Sequence, residues 1–132
     1  MSTDLEERFW IDLRPQAAYV GPARIFGAEL ARQSGVSEEI LDDVKVAVGE
    51  ALSRALNTKA LELRVKAVLR DGRLFFEIPQ GDGLESSDSS TDRLMAALSL
   101  ELITVLFEDG EAATSEEGDP VIRFSVPISN RA

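Results

Sequence analysis

The sequence contains no cysteine and no histidine. The first absence rules out a disulfide framework and a thiolate metal site. The second removes imidazole metal ligands, Ser-His-Asp triads and the commonest general base. Cations are also scarce. Fourteen Lys and Arg stand against twenty-four Asp and Glu, a formal net charge of -10. A surface that acidic repels phosphate backbones and anionic headgroups, which argues against direct binding of nucleic acid or membrane. No apolar run approaches the roughly 20 residues needed to cross a bilayer. The opening Met1-Ser2-Thr3-Asp4 lacks a basic segment followed by an apolar one, so no signal peptide is expected. These features point to a cytoplasmic protein. The 132 residues are 44% hydrophobic, enough for one globular core and the size of one domain, 1–132.

Residues 5–13 alternate Leu5, Phe9, Ile11 and Leu13 with polar residues, the period of a strand buried on one face. Trp10 lies on its polar side, as an exposed anchor or under a neighbouring strand. Residues 17–33 carry Val20, Ala23, Phe26 and Leu30 on one helical face, with Pro22 in the first turns and Gly35 as the stop. Ser37 then suits an N-cap, with Glu38 and Glu39 at the positive end of the helix dipole. That helix should reach about Asn57, with Ile40, Val44, Ala47, Val48, Ala51 and Ala55 as its apolar stripe.

Leu61, Leu63, Val65, Ala67 and Leu69 alternate with Glu62, Arg64 and Lys66, and Asp71-Gly72 follows as a hairpin turn before Leu74, Phe76 and Ile78. Residues 79–92 read as a polar loop, either a lid or a plain surface connection. Residues 93–100 predict a short helix with Leu94, Met95 and Leu98 inward. Ile103, Thr104, Val105 and Phe107 favour a strand over 102–107. An acidic loop over 108–119 and a last strand over 121–128 complete the chain. The order implies an α+β fold: a two-layer α/β sandwich with a mostly antiparallel, mixed sheet and helices on one face.

Within the second helix, Leu41-Asp42-Asp43-Val44-Lys45-Val46-Ala47-Val48-Gly49-Glu50-Ala51-Leu52-Ser53-Arg54-Ala55 resembles the first box of the bacterial anti-sigma factor serine/threonine kinases, which have the GHKL (histidine kinase-like ATPase) fold. The element order around it is similar along nearly the whole chain. The resemblance implies a catalytic carboxylate at Glu50 and, four residues on, an Asn that holds Mg²⁺ against ATP. Arg54 occupies that second position. A guanidinium carries donors only and cannot ligate a cation; it can meet a phosphate directly, or pair with Glu50 at i, i+4. In the family's second box an Asp reads adenine and glycines let the backbone pass the nucleotide. The matching stretch here is Ile78-Pro79-Gln80-Gly81-Asp82-Gly83, with Gln80 in the Asp position and Asp82 and Gly83 in partial register, or serving simply as a turn. The third box should open the last helix with glycines around phosphate; this chain has Ser89-Ser90-Thr91-Asp92-Arg93.

The resemblance implies ATP and Mg²⁺ as cofactors, whereas the altered boxes point to weak or lost binding. It also implies partners: a sigma factor to be sequestered, a STAS-type anti-anti-sigma factor that releases it, and a second copy in a homodimer. The alternative is an active kinase that phosphorylates the antagonist, with Glu50 as base.

Overall fold

The computed structural model describes residues 6–82 and 90–128. The elements run β1 (Glu7–Leu13), a 3-10 turn (Ala17–Tyr19), α1 (Val20–Ser34), α2 (Glu38–Asn57), β2 (Leu63–Arg70), β3 (Arg73–Pro79), α3 (Ser90–Leu106), β4 (Glu111–Thr114) and β5 (Pro120–Pro127). The five strands form one sheet in the order β1-β2-β3-β5-β4. All four pairings are antiparallel, so the expected mixed sheet is antiparallel throughout.

Period two sorts the sheet into two faces. Leu63, Val65 and Ala67 of β2, Leu74, Phe76 and Ile78 of β3, and Ile122, Phe124 and Val126 of β5 are buried in one cluster with the helices. Phe76, Phe124 and Phe107 stack at centroid separations of 5.1 and 4.8 Å within it. The alternate residues turn outward and are laced by ion pairs: Arg64 with Asp12, Lys66 with Glu77 at 3.9 Å, and Arg123 with Glu77 at 3.3 Å. Trp10 stands on this outer face, opposite Lys66, and is 61% exposed.

Local chemistry accounts for the joints. Asp71 (φ 52°) and Gly72 (φ 74°) both adopt left-handed backbone, the condition for a two-residue turn whose twist matches the strands it joins. Gly35, also left-handed at φ 101°, ends α1. Ser37 occupies the N-cap of α2 in extended conformation, but its hydroxyl makes no capping hydrogen bond. The acidic first turn, Glu38 and Glu39, is what complements the dipole there.

Three expectations fail in the last third of the chain. Residues 102–106 are helical, and α3 absorbs most of the strand expected over 102–107. Ala96, Ser99 and Ile103 are buried three and four apart, and Phe107 follows four residues on. That period overrides β-propensities worth less than about 1 kcal/mol each. The missing strand is β4, inside the expected acidic loop; Glu111, Ala112 and Ala113 give it little propensity, and pairing with β5 makes it. It is a short, charged edge, which suits solvent. Leu94, Met95 and Leu98 point outward rather than inward, at 58%, 50% and 53% exposure. No helix among the described residues is long and apolar enough to cross a membrane.

Ala47 is fully buried on the stripe of α2. Ala47→Asp should abolish cooperative thermal unfolding, because an unpaired buried carboxylate costs several kcal/mol, on the order of a small domain's whole stability. Leu61→Ser, at a 94% exposed position, should leave the melt unchanged. A normal transition in Ala47→Asp would mean that α2 is rotated away from this register.

Candidate functional site

α2 presents Glu50 and Arg54 one turn apart, toward α3. They do not pair with each other as their spacing suggests. The Glu50 carboxylate accepts a hydrogen bond from the Ser99 hydroxyl at 2.8 Å. Arg54 Nη1 donates to the Ala96 carbonyl at 2.8 Å. Residues three apart on α3 thus meet residues four apart on α2, in antiparallel sense. Small side chains at Ala96 and Ser99 let the two helices approach closely enough for these contacts.

The Arg54 charge is poorly compensated. Burial pushes its guanidinium below the ordinary value, and no carboxylate among the described residues offsets that. Its Nε is buried without a hydrogen-bond partner.

Gln80 sits just past β3 and is 9% exposed. Its backbone N–H donates to the Pro120 carbonyl at 2.9 Å, tying β3 to β5. Its Nε2 donates to the carbonyls of Ala51 and Ile78, both at 3.1 Å, and of Pro79 at 3.3 Å. Three carbonyl neighbours fix the amide's orientation, since only the nitrogen end can face them. Oε1 is therefore left buried and unpartnered. Among the described residues, Arg54 Nε and Gln80 Oε1 are the two buried side-chain polar atoms without a partner, and both fall in the altered boxes. Such orphans cost about 1–3 kcal/mol each and call for a physical reason.

Gly81 follows in close contact with the loop after α2. Its N–H donates to the Thr58 hydroxyl at 2.8 Å. A Cβ there would lie 2.1 Å from the Thr58 carbonyl oxygen and 2.6 Å from the Ala60 nitrogen. The glycine is thus needed for packing of the chain upon itself. The Thr58 hydroxyl also donates to the carbonyls of Arg54 and Ala55, at 2.9 and 3.2 Å, which joins the end of α2 to this loop. Asp82 is exposed. Gly83 lies outside the described residues, as do the middle of the expected loop and the residue before α3.

The structure therefore brings Glu50 and Arg54 together with α3, and Gln80 with the α2 backbone. Thr58 and Ser99 were missed as site residues. The signal for Ser99 was available, a single hydroxyl among the apolar residues 94–100; for Thr58 there was none. Elsewhere among the described residues lie two open clefts. One is on the outer sheet face, among Arg8, Lys66, Arg70, Glu77, Glu117 and Arg123, and the other lies between α2, the end of α3 and β5.

A sequence profile of the histidine kinase-like ATPase domain matches residues 13–121. The chain belongs to that family. The crystal structure of the RsbU and RsbW domains of Rv1364c from Mycobacterium tuberculosis has a similar fold, with a TM-score of 0.67 and 15% identity over 96% of this chain. The histidine kinase-like chain spans 34% of that longer protein's length. No curated protein matches the sequence significantly.

Within this family frame the residues can be tested against Mg²⁺ and ATP. They do not fit the metal: the position that should offer an oxygen carries a guanidinium already bonded to Ala96. The residues that the resemblance matches to the nucleotide boxes are hydrogen-bonded within the protein: Glu50 to Ser99, Gln80 to backbone carbonyls and Gly81 to Thr58.

Gly81→Ala should cost about 3 kcal/mol, because the clash is with backbone that cannot swing aside. Ser99→Ala, which removes one part-buried hydrogen bond, should cost about 1 kcal/mol. Urea midpoints at constant slope measure both; equal midpoints for the two variants would contradict the packing assigned to Gly81.

Proposed function

We propose that this domain is a regulatory binding module of the anti-sigma type: it holds a sigma factor or related regulator and releases it to a STAS-type antagonist. On this reading it works in the cytoplasm as a homodimer, with ATP binding weak or lost. The observation that carries the proposal is Arg54 at the metal-holding position, directed to the Ala96 carbonyl. Phosphoryl transfer depends on a positioned metal–phosphate array, and Glu50 alone does not supply one. Grip on a partner needs only surface. The net charge of -10 favours a basic partner and speeds encounter with it.

A kinase acting on the antagonist, with Glu50 as base, is the competing reading. It gains one support from the orphaned atoms. Once the buried site opened, Gln80 Oε1 would accept from the amino group of a purine, and Arg54 Nε would donate to an anionic oxygen. That pairing fits a nucleotide held by Arg54 in place of a metal better than one held through Mg²⁺.

Calorimetric titration separates the readings. ATP with Mg²⁺ should give no metal-dependent heat at high protein concentration. Arg54→Asn alone should not restore affinity, because Gln80, Gly81 and the glycine-free start of α3 remain altered. Micromolar ATP binding that requires Mg²⁺ and is lost in Glu50→Ala would overturn the binding-module reading, and so would tight binding gained by Arg54→Asn alone.

A further inference from the structure

Over its first half, α3 turns Ala96 and Ser99 inward and its larger Leu94, Met95 and Leu98 outward. Ala96 and Ser99 face α2, whereas Leu94, Met95, Leu98, Leu102 and Val105 are 37% to 73% exposed. Leu94, Leu98, Leu102 and Val105 recur at intervals of four, four and three, which makes one stripe along the helix. At 1.5 Å per residue the stripe is about 16 Å long. The contacts Arg54–Ala96 and Glu50–Ser99 set the antiparallel register with α2. One more turn along each helix brings Val46, 40% exposed, level with Leu102. The apolar surface thus extends from α3 across to α2, and contiguous exposed apolar surface of this kind marks an interaction site.

The rim of this surface is acidic. Glu101 lies three residues after Leu98 and four before Val105, and is exposed. On the same side of α2 as Val46, exposed Asp42 and Glu39 follow one and two turns toward its start. The antiparallel register places them near the end of α3, where Glu108 is also exposed. Lys45, the neighbouring cation, already lies 3.9 Å from Asp42. The C-terminal end of the α3 dipole adds partial negative charge at the same place.

We propose that the α2–α3 face is a docking groove for an amphipathic helix of another protein, with an apolar stripe of about three turns flanked by Lys and Arg. The basic residues lie over the Leu102–Glu108 end, and the leucines seat the apolar stripe, the usual way in which a groove receives a helix. The charge pattern chooses this occupant. A second copy of the chain brings another net charge of -10, and an anionic bilayer is repelled by the same rim. The proposal rests on the reading that the domain works by holding a protein, and it assigns the surface and the chemistry of what is held.

The test uses the full chain and three labelled peptides, followed by fluorescence anisotropy: a helix with a leucine stripe and lysine flanks, its glutamate-flanked twin, and a scrambled lysine peptide of the same composition. The lysine-flanked helix should bind at least about tenfold more tightly than either control, a gap of about 1.4 kcal/mol. Leu98→Glu should weaken it about tenfold or more with an unchanged melting temperature, and Glu101→Lys should narrow the preference over the glutamate twin. If Leu98→Glu loses its fold, Leu94→Gln serves instead. Equal binding of the scrambled peptide would reduce the effect to net charge and overturn the proposal, as would no binding. Sedimentation as a dimer that Leu98→Glu dissociates would assign the face to a second copy, and loss of binding to phosphatidylglycerol vesicles in that variant would assign it to a membrane; either overturns it. A sigma-type regulator that binds the wild type and Leu98→Glu equally would sink the groove and leave the anti-sigma reading standing. Helix binding without any regulator binding would do the reverse.

Discussion

The contact between α2 and α3 is the constraint on which the site's chemistry depends. Two polar side chains on α2 reach across to α3, Arg54 to a backbone carbonyl and Glu50 to a hydroxyl. Each is thereby engaged within the protein rather than with the other. The helices can come this close because α3 offers Ala96 and Ser99 there, and that choice of inner face turns Leu94, Leu98 and Leu102 outward. Internal closure of the site and the exposed stripe are therefore one packing decision seen from its two sides.

The same decision explains where the sequence was legible. β1, α1, α2 and the β2–β3 hairpin follow patterns that burial alone sets, period two against the core and period 3.6 along a stripe. The Asp71-Gly72 turn follows from the backbone it must adopt. α3 was harder because it is apolar on nearly every side. Leu94, Met95 and Leu98 outweigh Ala96 and Ser99 in any count of hydrophobicity, so the larger residues look like the core face. Its second half, with Ile103, Thr104 and Val105, carries strand propensity that only the position of α2 overrides. β4 had the opposite difficulty: Ala112 and Ala113 lack the shape of strand residues, and only the free edge of β5 recruits them.

For the site, residue types were legible and their partners were not. Arg54 could be excluded as a metal ligand from its chemistry alone. That it would leave Glu50 for a carbonyl forty-two residues away depends on where α3 lies. Gln80 could be matched to a position, but its three carbonyl neighbours, and hence the orphaned Oε1, follow from the meeting of β3, β5 and α2. Gly81 shows the same gap. A glycine in a nucleotide box suggests room for a ligand, whereas here the space is taken by the chain's own Thr58 and Ala60.

These substitutions also support one another energetically. With an Asn at position 54, Ala96 would lose its side-chain donor and Glu50 would face α3 with Ser99 as its one bridge. With a longer side chain at Gly81, the loop after α2 would have to move, and the Thr58 hydroxyl that ties it to the end of the helix would move with it. A fold that met a metal and a triphosphate would keep these groups free and accept the cost of their hydration. Here nearly every one is satisfied within the protein. The two that are not, Arg54 Nε and Gln80 Oε1, are a donor and an acceptor that the packing of α2, α3 and β3 leaves buried without a partner.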